Sequence, residues 1–349
     1  MAQSSGIGNV IQNSRLTDMA MGYARSRVLC AAAQLGVADA LGDRERSVDE
    51  LAAACNADPA ALHRLLRALA SFNVVAEAHP GRFVLTAFGR PLRKDVPESE
   101  WSAIIFWADL LADNWAYLTE CVRSGKDNAM QIMQREGVVS RWAKDPNAPA
   151  IFRAVMGTAP AEDYAPIARA WDFSKRRVVA DLGGGGGALI AAVLSAFPNL
   201  HGMLVDRPES VDRARARIAS DGLAGRCKLV AADLSSAVPE GADVCMLKHV
   251  LHGCKDEAAV KILRNCCSVL PRDGRVLVIE FVLPAIVDHA DPDLETRLMS
   301  DLNMLVVTGG KERTEAEWRT LLASAGFECW GVIPVASALV SIIEAVPID

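Results

Sequence analysis

Five consecutive glycines, Gly183 to Gly187, constrain this chain of 349 residues more than any other feature. They follow the apolar run Arg177–Leu182 and precede Ala188–Phe197, a stretch typical of a helix. A buried strand, a glycine loop and a helix form the first unit of a doubly wound α/β sheet. Because glycine loses more conformational entropy on folding than other residues, five in a row indicate a loop on which a ligand lies directly.

Further strand patterns after the loop extend this sheet. The predicted strands are Met203–Asp206, Lys228–Asp233, Val244–Leu247, Arg275–Leu283, Phe327–Val335 and Ala338–Val346. The last two are separated only by a tight turn, which predicts an antiparallel hairpin. We therefore expect an α/β fold, a Rossmann-like doubly wound sheet that ends in a C-terminal antiparallel hairpin.

The N-terminal half has a different, mainly helical character. Ser47–Glu50 is a capping box, and Asp58 followed by proline begins a second helix. Val74–Ala78 and Phe83–Thr86 are predicted as a hairpin, and the series helix, turn, helix, hairpin indicates a winged helix. We expect this domain to form a homodimer through the apolar helix Leu16–Leu35.

Composition excludes several classes of function. The net charge of -6, without a Lys/Arg cluster, argues against nucleic acid or an anionic membrane as a partner. The start, Met1–Ser5, lacks a signal-peptide pattern, and no apolar run reaches the roughly 20 residues that span a bilayer. Nine cysteines without a CxxC motif argue against disulfides and a zinc site. We predict a cytoplasmic protein with no metal.

The glycine loop alone is compatible with NAD or with S-adenosylmethionine. A pyrophosphate needs a third glycine at a fixed offset and a free helix N-terminus, whereas this loop has a GxGxG spacing. The terminal hairpin, in place of another βαβ unit, also favours S-adenosylmethionine. An NAD-dependent oxidoreductase and a winged-helix regulator remain as alternatives.

Six motifs then occur in a specific order. They are Asp181–Gly187, Leu204–Pro208, Ala232–Leu234, Leu247–His252, Val278–Glu280 and Gly309–Thr314. In these stretches the chain resembles the small-molecule O-methyltransferases that include caffeic acid, hydroxyindole and antibiotic O-methyltransferases. The resemblance implies a winged-helix dimerisation domain over residues 1–100, a helical connector over 101–170 that contributes to the substrate pocket, and an S-adenosylmethionine-binding domain over 171–349.

The resemblance also implies which residues bind the cofactor. Gly183 and Gly185 would lie behind its methionine part, Asp206 would hold the ribose, and Asp233 and Leu234 would flank the adenine. The remaining cofactor residues that it implies are Asp181, Arg207 and Lys248.

In the same way, His252 matches the general base of the family, and Glu280 and Glu312 match the carboxylates that brace it. A phenol has a pKa near ~10, so a neutral imidazole that takes its proton makes it a nucleophile. Glu312 could alternatively be the first-turn acid of a helix that begins near Thr314. His249 is expected to be structural and to point away from His252.

The substrate is less constrained. Aromatic residues between 101 and 170 either pack between domains or line a pocket, and we assign Trp107, Met156, Asp301 and Met304 to it. The family usually has His-Asp-Trp where this chain has His252–Cys254, which predicts altered substrate recognition. A small aromatic hydroxyl is the expected acceptor. The same fold and cofactor with N- or C-methylation, or with decarboxylation, hydroxylation or cyclisation, remain open.

Overall fold

The structure is a computed structural model that describes residues 15–157, 164–336 and 338–348. The expectation for Met1–Ser5 lies outside these residues. The chain divides into two compact units, one of residues 1–116 and 138–156 and the other of 117–137 and 157–349. The domain limits predicted above stay a prediction.

The first unit contains nine described helical segments of four or more residues, one of them a π-helix. They are α1 Arg15–Leu35, α2 Val37–Leu41, α3 Val48–Cys55, α4 Pro59–Ser71, α5 Trp101–Ile105, the π-helix Phe106–Leu110, α6 Ala112–Ala116, α9 Arg141–Lys144 and α10 Ala148–Gly157, whose last residue falls in the second unit. Three short strands, β1 Arg46–Ser47, β2 Val75–His79 and β3 Arg82–Leu85, form a sheet in the order β1-β3-β2. The predicted helix-turn-helix and hairpin are therefore confirmed, and β1 adds a strand that the pattern did not predict.

Local signals explain these elements. The Ser47 side chain accepts from the Glu50 amide while Glu50 accepts from the Ser47 amide, which is the predicted capping box. Asp58 caps α4, whose buried face is Leu62, Leu66 and Leu69.

The second unit contains eight described helices of four or more residues and a seven-stranded sheet. The helices are α7 Leu118–Ser124, α8 Ala129–Glu136, α11 Ala165–Ala170, α12 Ala188–Ala196, α13 Pro208–Ser220, α14 Asp256–Val269, α15 Leu294–Val307 and α16 Glu315–Ser324. The strands of the large sheet are β4 Val178–Leu182, β5 His201–Asp206, β6 Cys227–Ala231, β7 Val244–Lys248, β8 Arg275–Glu280, β11 Phe327–Pro334 and β12 Ser341–Pro347. No described helix is long and apolar enough to cross a membrane.

The order of this sheet is β11-β12-β8-β7-β4-β5-β6. The five strands β8, β7, β4, β5 and β6 are parallel to one another, whereas β12 is antiparallel to β8 and to β11. This confirms the doubly wound sheet and its C-terminal hairpin.

Two apolar clusters cover the sheet, and successive residues of a strand belong to opposite clusters. Met246 joins the cluster of Ile190 and Leu194, while Cys245 and Leu247 join the other. Alternation of this kind places the core on both faces, as a parallel sheet requires.

The predicted strand Arg275–Leu283 divides after Glu280. Its last part, β9 Val282–Leu283, leaves the large sheet and pairs in parallel with β10 Arg313–Thr314. This pairing brings the end of β8 and the segment before α16 together. Both carry residues of the candidate site.

Candidate active site

The glycine loop after β4 has the backbone that only glycine adopts easily. Gly183, Gly185 and Gly187 have φ values of 74°, 55° and 81°. A Cβ on Gly183 would lie 2.6 Å from Val250 Cγ2, and one on Gly184 would lie 2.8 Å from Asp181 Oδ2. Conformation and packing therefore both exclude larger residues at this turn.

Above Gly185 the structure is open, since no described atom lies within 4 Å of where its Cβ would be. Its amide donates to Asp206 Oδ2 over 2.8 Å, while Asp206 Oδ1 accepts from the Arg207 amide at 2.6 Å. Each Asp206 oxygen retains a further lone pair, so the carboxylate can still accept from the ribose hydroxyls. The glycine loop and Asp206 thus fit S-adenosylmethionine.

Asp181 lies behind this loop and is 2% exposed. Burial raises the pKa of Asp181 to about 7, against the opposing effects of the Ile190 backbone and Lys248. Its Oδ2 has no hydrogen-bond partner among the described residues. Asp181 therefore supports the loop from below, adjacent to Gly184.

The other predicted cofactor residues follow the ends of neighbouring strands. Asp233 comes after β6 and is exposed, and its hydrogen bonds from Ser235 hold the pKa of that carboxyl below its usual value. Leu234, the next residue, is partly buried. Lys248 ends β7, where its Nζ lies 5.2 Å from the centre of the Tyr164 ring and burial lowers its pKa.

A second loop, His249–Gly253, follows β7 and is named here the two-histidine loop. Glu280, completely buried at the end of the adjacent strand β8, organises it. Glu280 Oε1 accepts from the amides of Val250 and Leu251 at 3.0 Å and of His252 at 3.3 Å. Three converging amides form a small anion site, and they explain how His249 keeps a φ of 52°.

His252 has its shortest carboxylate contact with Glu312, whose Oε1 lies 2.8 Å from His252 Nδ1. Because a carboxylate oxygen only accepts, Nδ1 carries the proton and Nε2 keeps its lone pair. Burial opposes protonation, yet the Glu312 hydrogen bond and the nearby carboxylates outweigh it, so the pKa of His252 is above its usual value. Glu280 Oε2 is more distant from Nδ1, at 3.6 Å.

Glu312 is 2% exposed and precedes α16. The first-turn acids of that helix are Glu315 and Glu317, so the alternative role for Glu312 is wrong. Ser300 Oγ donates to Glu312 Oε1 over 2.8 Å, and Asp301 Oδ1 accepts from the Glu312 amide over 2.9 Å. Helix α15 therefore fixes Glu312 against His252.

The expectation that His249 points away from His252 is wrong. Its Nδ1 lies 3.1 Å from Glu280 Oε2, and its ring stacks on that of His252 with 5.1 Å between centres and 27° between planes. The left-handed backbone at His249 turns the side chain back to the base. Burial lowers the pKa of His249 despite this contact, whereas the hydrogen bond from His249 and the histidine charges outweigh burial and lower the pKa of Glu280.

The segment Gly309–Thr314 packs directly on the two-histidine loop. A Cβ on Gly310 would lie 2.0 Å from the carbonyl oxygen of His252, and that oxygen accepts from the Lys311 amide at 2.9 Å. The fully buried Arg313 donates to the carbonyls of Leu251 and Cys254 at 3.2 and 3.1 Å. Gly310 and Arg313 of this motif therefore have a structural role, since they hold the two-histidine loop in place.

Sequence reasoning missed Ser300, Arg313 and the role of His249. The sequence did contain a signal for Arg313, because this charged residue belongs to the motif Gly309–Thr314 and directly follows Glu312. Ser300 had none, since an isolated serine in a helix carries no pattern. The Cys254 thiol donates to the Val250 carbonyl over 3.6 Å, and burial raises the pKa of Cys254, which favours an unreactive, protonated thiol.

The four predicted pocket residues fall in both units. Asp301 and the partly buried Met304 lie on α15, beside Ser300. Trp107 and Met156 belong to the first unit, where their side chains are 48% and 53% exposed. There Trp107 contacts Phe106, whose ring also lies 5.9 Å from Phe152.

Comparison with known proteins agrees with this geometry. An O-methyltransferase domain matches residues 115–328, and an O-methyltransferase dimerisation domain matches residues 17–95. A phenazine O-methyltransferase of Lysobacter antibioticus is 35% identical over 348 residues, which are 100% of both chains. A mitomycin 7-O-methyltransferase has a TM-score of 0.85 at 32% identity, over 97% of this chain and 99% of that one.

A second similar structure contains the cofactor. An O-methyltransferase from neocarzinostatin biosynthesis, in complex with S-adenosylmethionine and 2-hydroxy-5-methyl naphthoic acid, has a TM-score of 0.79 at 30% identity, over 97% of this chain and 100% of that one. The chain therefore belongs to the small-molecule O-methyltransferases that use S-adenosylmethionine.

Proposed function

We propose that this enzyme methylates a hydroxyl group on a small aromatic molecule, with His252 as the general base. The observation that carries the proposal is the 2.8 Å contact between His252 Nδ1 and Glu312 Oε1. It leaves the other ring nitrogen free to accept a proton. Relatives that act on a phenazine and bind a naphthoic acid support an aromatic acceptor.

S-adenosylmethionine, when bound, supplies a methyl group on a positively charged sulfur. His252 Nε2 accepts the proton of the substrate hydroxyl as that oxygen attacks, which typically contributes about 10²- to 10⁴-fold. Glu312 stabilises the imidazolium that forms, and Glu280 adds a second negative charge 3.6 Å from Nδ1. The remaining acceleration comes from holding the reacting atoms in line.

The cofactor residues are part of the same proposal. Gly183 and Gly185 would lie behind the methionine part, Asp206 and Arg207 beside the ribose, and Asp233 and Leu234 beside the adenine. The open space at Gly185 and the spare acceptor capacity of Asp206 support this assignment. Asp181 and Lys248 would act from beneath the site, as positioning and electrostatic residues.

Assembly and pocket complete the proposal. The dimerisation domain supports a homodimer, and Leu16, Met19 and Tyr23 on one face of α1 are each at least 70% exposed in the single chain. We assign Asp301 and Met304 to the acceptor pocket, while the role of Trp107 and Met156 stays a prediction from the sequence. The nine free thiols suit a reducing cytoplasm.

No observation favours the other functions. The match of residues 115–328 to an O-methyltransferase domain argues against an NAD-dependent oxidoreductase and against a regulator. Gly253 and Cys254 replace the usual Asp-Trp without changing the base or its carboxylates, so altered acceptor recognition is the simpler consequence.

Two measurements test the proposal. Calorimetric titration should show micromolar binding of S-adenosylhomocysteine and none of NAD. A panel of phenols, dihydroxynaphthoic acids and hydroxyphenazines, analysed by mass spectrometry, should give a product with one added methyl group on oxygen.

His252→Ala should lower turnover of that acceptor by at least about 100-fold, because the proton acceptor is lost, while the affinity for S-adenosylhomocysteine changes little. His201→Ala, at an exposed histidine, is the matched control. Unchanged turnover in His252→Ala would overturn the base assignment, and methylation on nitrogen or carbon alone would overturn the proposed acceptor.

A further inference from the structure

Three potential metal ligands converge at the base, and a second carboxylate, Glu312, contacts one of them. His249 Nδ1 and His252 Nδ1 lie 3.1 and 3.6 Å from Glu280 Oε2, and His252 Nδ1 lies 2.8 Å from Glu312 Oε1. The donor atoms of His249, His252 and Glu280 are all within 4.8 Å of one another.

These separations suit a small cation. Zinc binds histidine nitrogen and carboxylate oxygen at ~2.0–2.2 Å, so neighbouring ligands of a tetrahedral site lie about 3.3 Å apart. The two separations from Glu280 Oε2, 3.1 Å to His249 Nδ1 and 3.6 Å to His252 Nδ1, bracket that value. Two imidazoles and one carboxylate favour zinc over calcium or magnesium, which prefer oxygen ligands alone.

The carboxylates have oxygens available for a cation. Glu280 uses Oε1 for three amides, which leaves Oε2 between the two histidines. Glu312 Oε2 is buried and has no hydrogen-bond partner among the described residues. The glutamate side chains have no exposed surface, whereas those of His249 and His252 are 29% and 16% exposed. A cation would thus meet two desolvated negative charges, reached past the imidazoles.

We propose that His249, His252 and Glu280 form an inhibitory zinc site, with the carboxylate of Glu312 beside it. The inhibition, though not the binding, rests on the proposed role of His252 as base. Coordination of zinc by Nδ1 of a neutral imidazole moves the proton of that nitrogen to Nε2, with no net release. Nε2 then donates instead of accepting, and His252 cannot take the proton of a substrate.

His249 provides the test, because it ligates the ion without being the base. His249→Asn keeps a side-chain donor for Glu280 Oε2, and asparagine tolerates the left-handed backbone at φ 52°. Its amide nitrogen cannot bind zinc. The matched control is His79→Asn, since His79 Nδ1 also lies 3.1 Å from a carboxylate, Glu45, but on an exposed surface with only that partner as a potential ligand.

The binding experiment uses metal-free protein titrated with cobalt chloride and then zinc chloride. We expect one cobalt per chain, with the visible absorption of a tetrahedral nitrogen and oxygen site, no thiolate charge-transfer band, and displacement by zinc. His249→Asn should weaken zinc binding at least tenfold, and His79→Asn should not change it. A rise in the unfolding temperature with zinc, absent from His249→Asn, gives a second measure of binding and shows that the variant folds.

Inhibition is measured as the ratio of methyl transfer with and without zinc in each protein. We expect reversal by a chelator and a tenfold higher half-inhibitory concentration in His249→Asn. A thiolate band, or equal zinc affinity in His249→Asn, would overturn the site. Binding that His249→Asn abolishes, without inhibition of the wild type, would retain the site but overturn its inhibitory effect and the base role of His252.

Discussion

The glycine loop and the two-histidine loop follow paired parallel strands, β4 and β7, yet they are shaped in opposite ways. The glycine loop takes its form from positive φ values at Gly183, Gly185 and Gly187. The two-histidine loop takes its form from one buried carboxylate, Glu280, which gathers three backbone amides. One loop is determined by its own residues and the other by a distant group.

This difference explains what each loop can do. A loop shaped by glycine exposes backbone to a ligand and carries no side-chain chemistry. A loop shaped by a buried charge can present two imidazoles and hold their orientation. The loops are in contact where Val250 Cγ2 fills the space that a Cβ on Gly183 would need. A substitution in one loop should therefore alter the conformation of the other.

The largest effect is expected from Glu312→Gln, which removes the distant charge that acts on the base. Glutamine keeps an acceptor for Nδ1 but no longer stabilises the imidazolium, so we expect kcat to fall by about 100-fold, or about 2.7 kcal/mol. Since His252 is active when neutral, kcat rises with pH through its pKa, which lies above the usual value. Loss of the carboxylate lowers that pKa, and the acid limb of the profile should move to lower pH.

The measurement is kcat against pH at saturating substrate, with Glu317→Gln as the control. Glu317 is also a glutamate of this segment, but it caps α16. An acid limb that stays in place in Glu312→Gln would show that another group controls the titration.

Gly183→Ala tests the contact between the loops. The added Cβ meets Val250 Cγ2 at 2.6 Å and imposes a left-handed backbone of 74° on alanine, so we expect the affinity for S-adenosylhomocysteine to fall about 30-fold. Val250→Ala removes Cγ2 and should recover part of that affinity in the double variant. Calorimetry of the wild type, both single variants and the double variant measures the coupling.

Gly222→Ala separates strain from contact. Gly222 has a φ of 71°, close to that of Gly183, but apart from its chain neighbours no atom of the described residues lies within 4 Å of its added Cβ. It should lower the unfolding temperature without changing cofactor affinity. If Val250→Ala recovers nothing in the Gly183→Ala background, the backbone strain alone controls the glycine loop.

The sequence predicted what is encoded locally. Glycines after an apolar strand, Asp206 at the next strand end and the capping box at Ser47 each act within a few residues, and the structure has all three elements as expected. The seven-stranded sheet followed from strand patterns of the same kind.

The two-histidine loop could not be derived in this way. Glu280 and Glu312 lie 28 and 60 residues from His252, so only the resemblance to a family suggested that they meet. The same limit explains the error at His249, because spacing alone cannot show that a left-handed residue turns its ring back onto the base. The contacts of Glu280 and Glu312 with His252 depend instead on how β8 and β10 pack in the folded chain.

The smallest effect is expected from Ser300→Ala. The direction in which the acid limb of the pH profile moves distinguishes support of Glu312 from mere packing. The hydroxyl donates to the Glu312 oxygen that faces His252, so its loss should lower kcat about threefold to tenfold, as for one hydrogen bond. Glu312 would then interact more strongly with the imidazolium, and the acid limb should move to higher pH, opposite to Glu312→Gln. Ser300→Thr should restore both values, while Ser268→Ala, at an exposed helix serine, should change neither. A loss of kcat with no movement of the acid limb of the pH profile would make Ser300 a packing residue. Glu312 would then be held on α15 by the hydrogen bond from its backbone amide to Asp301.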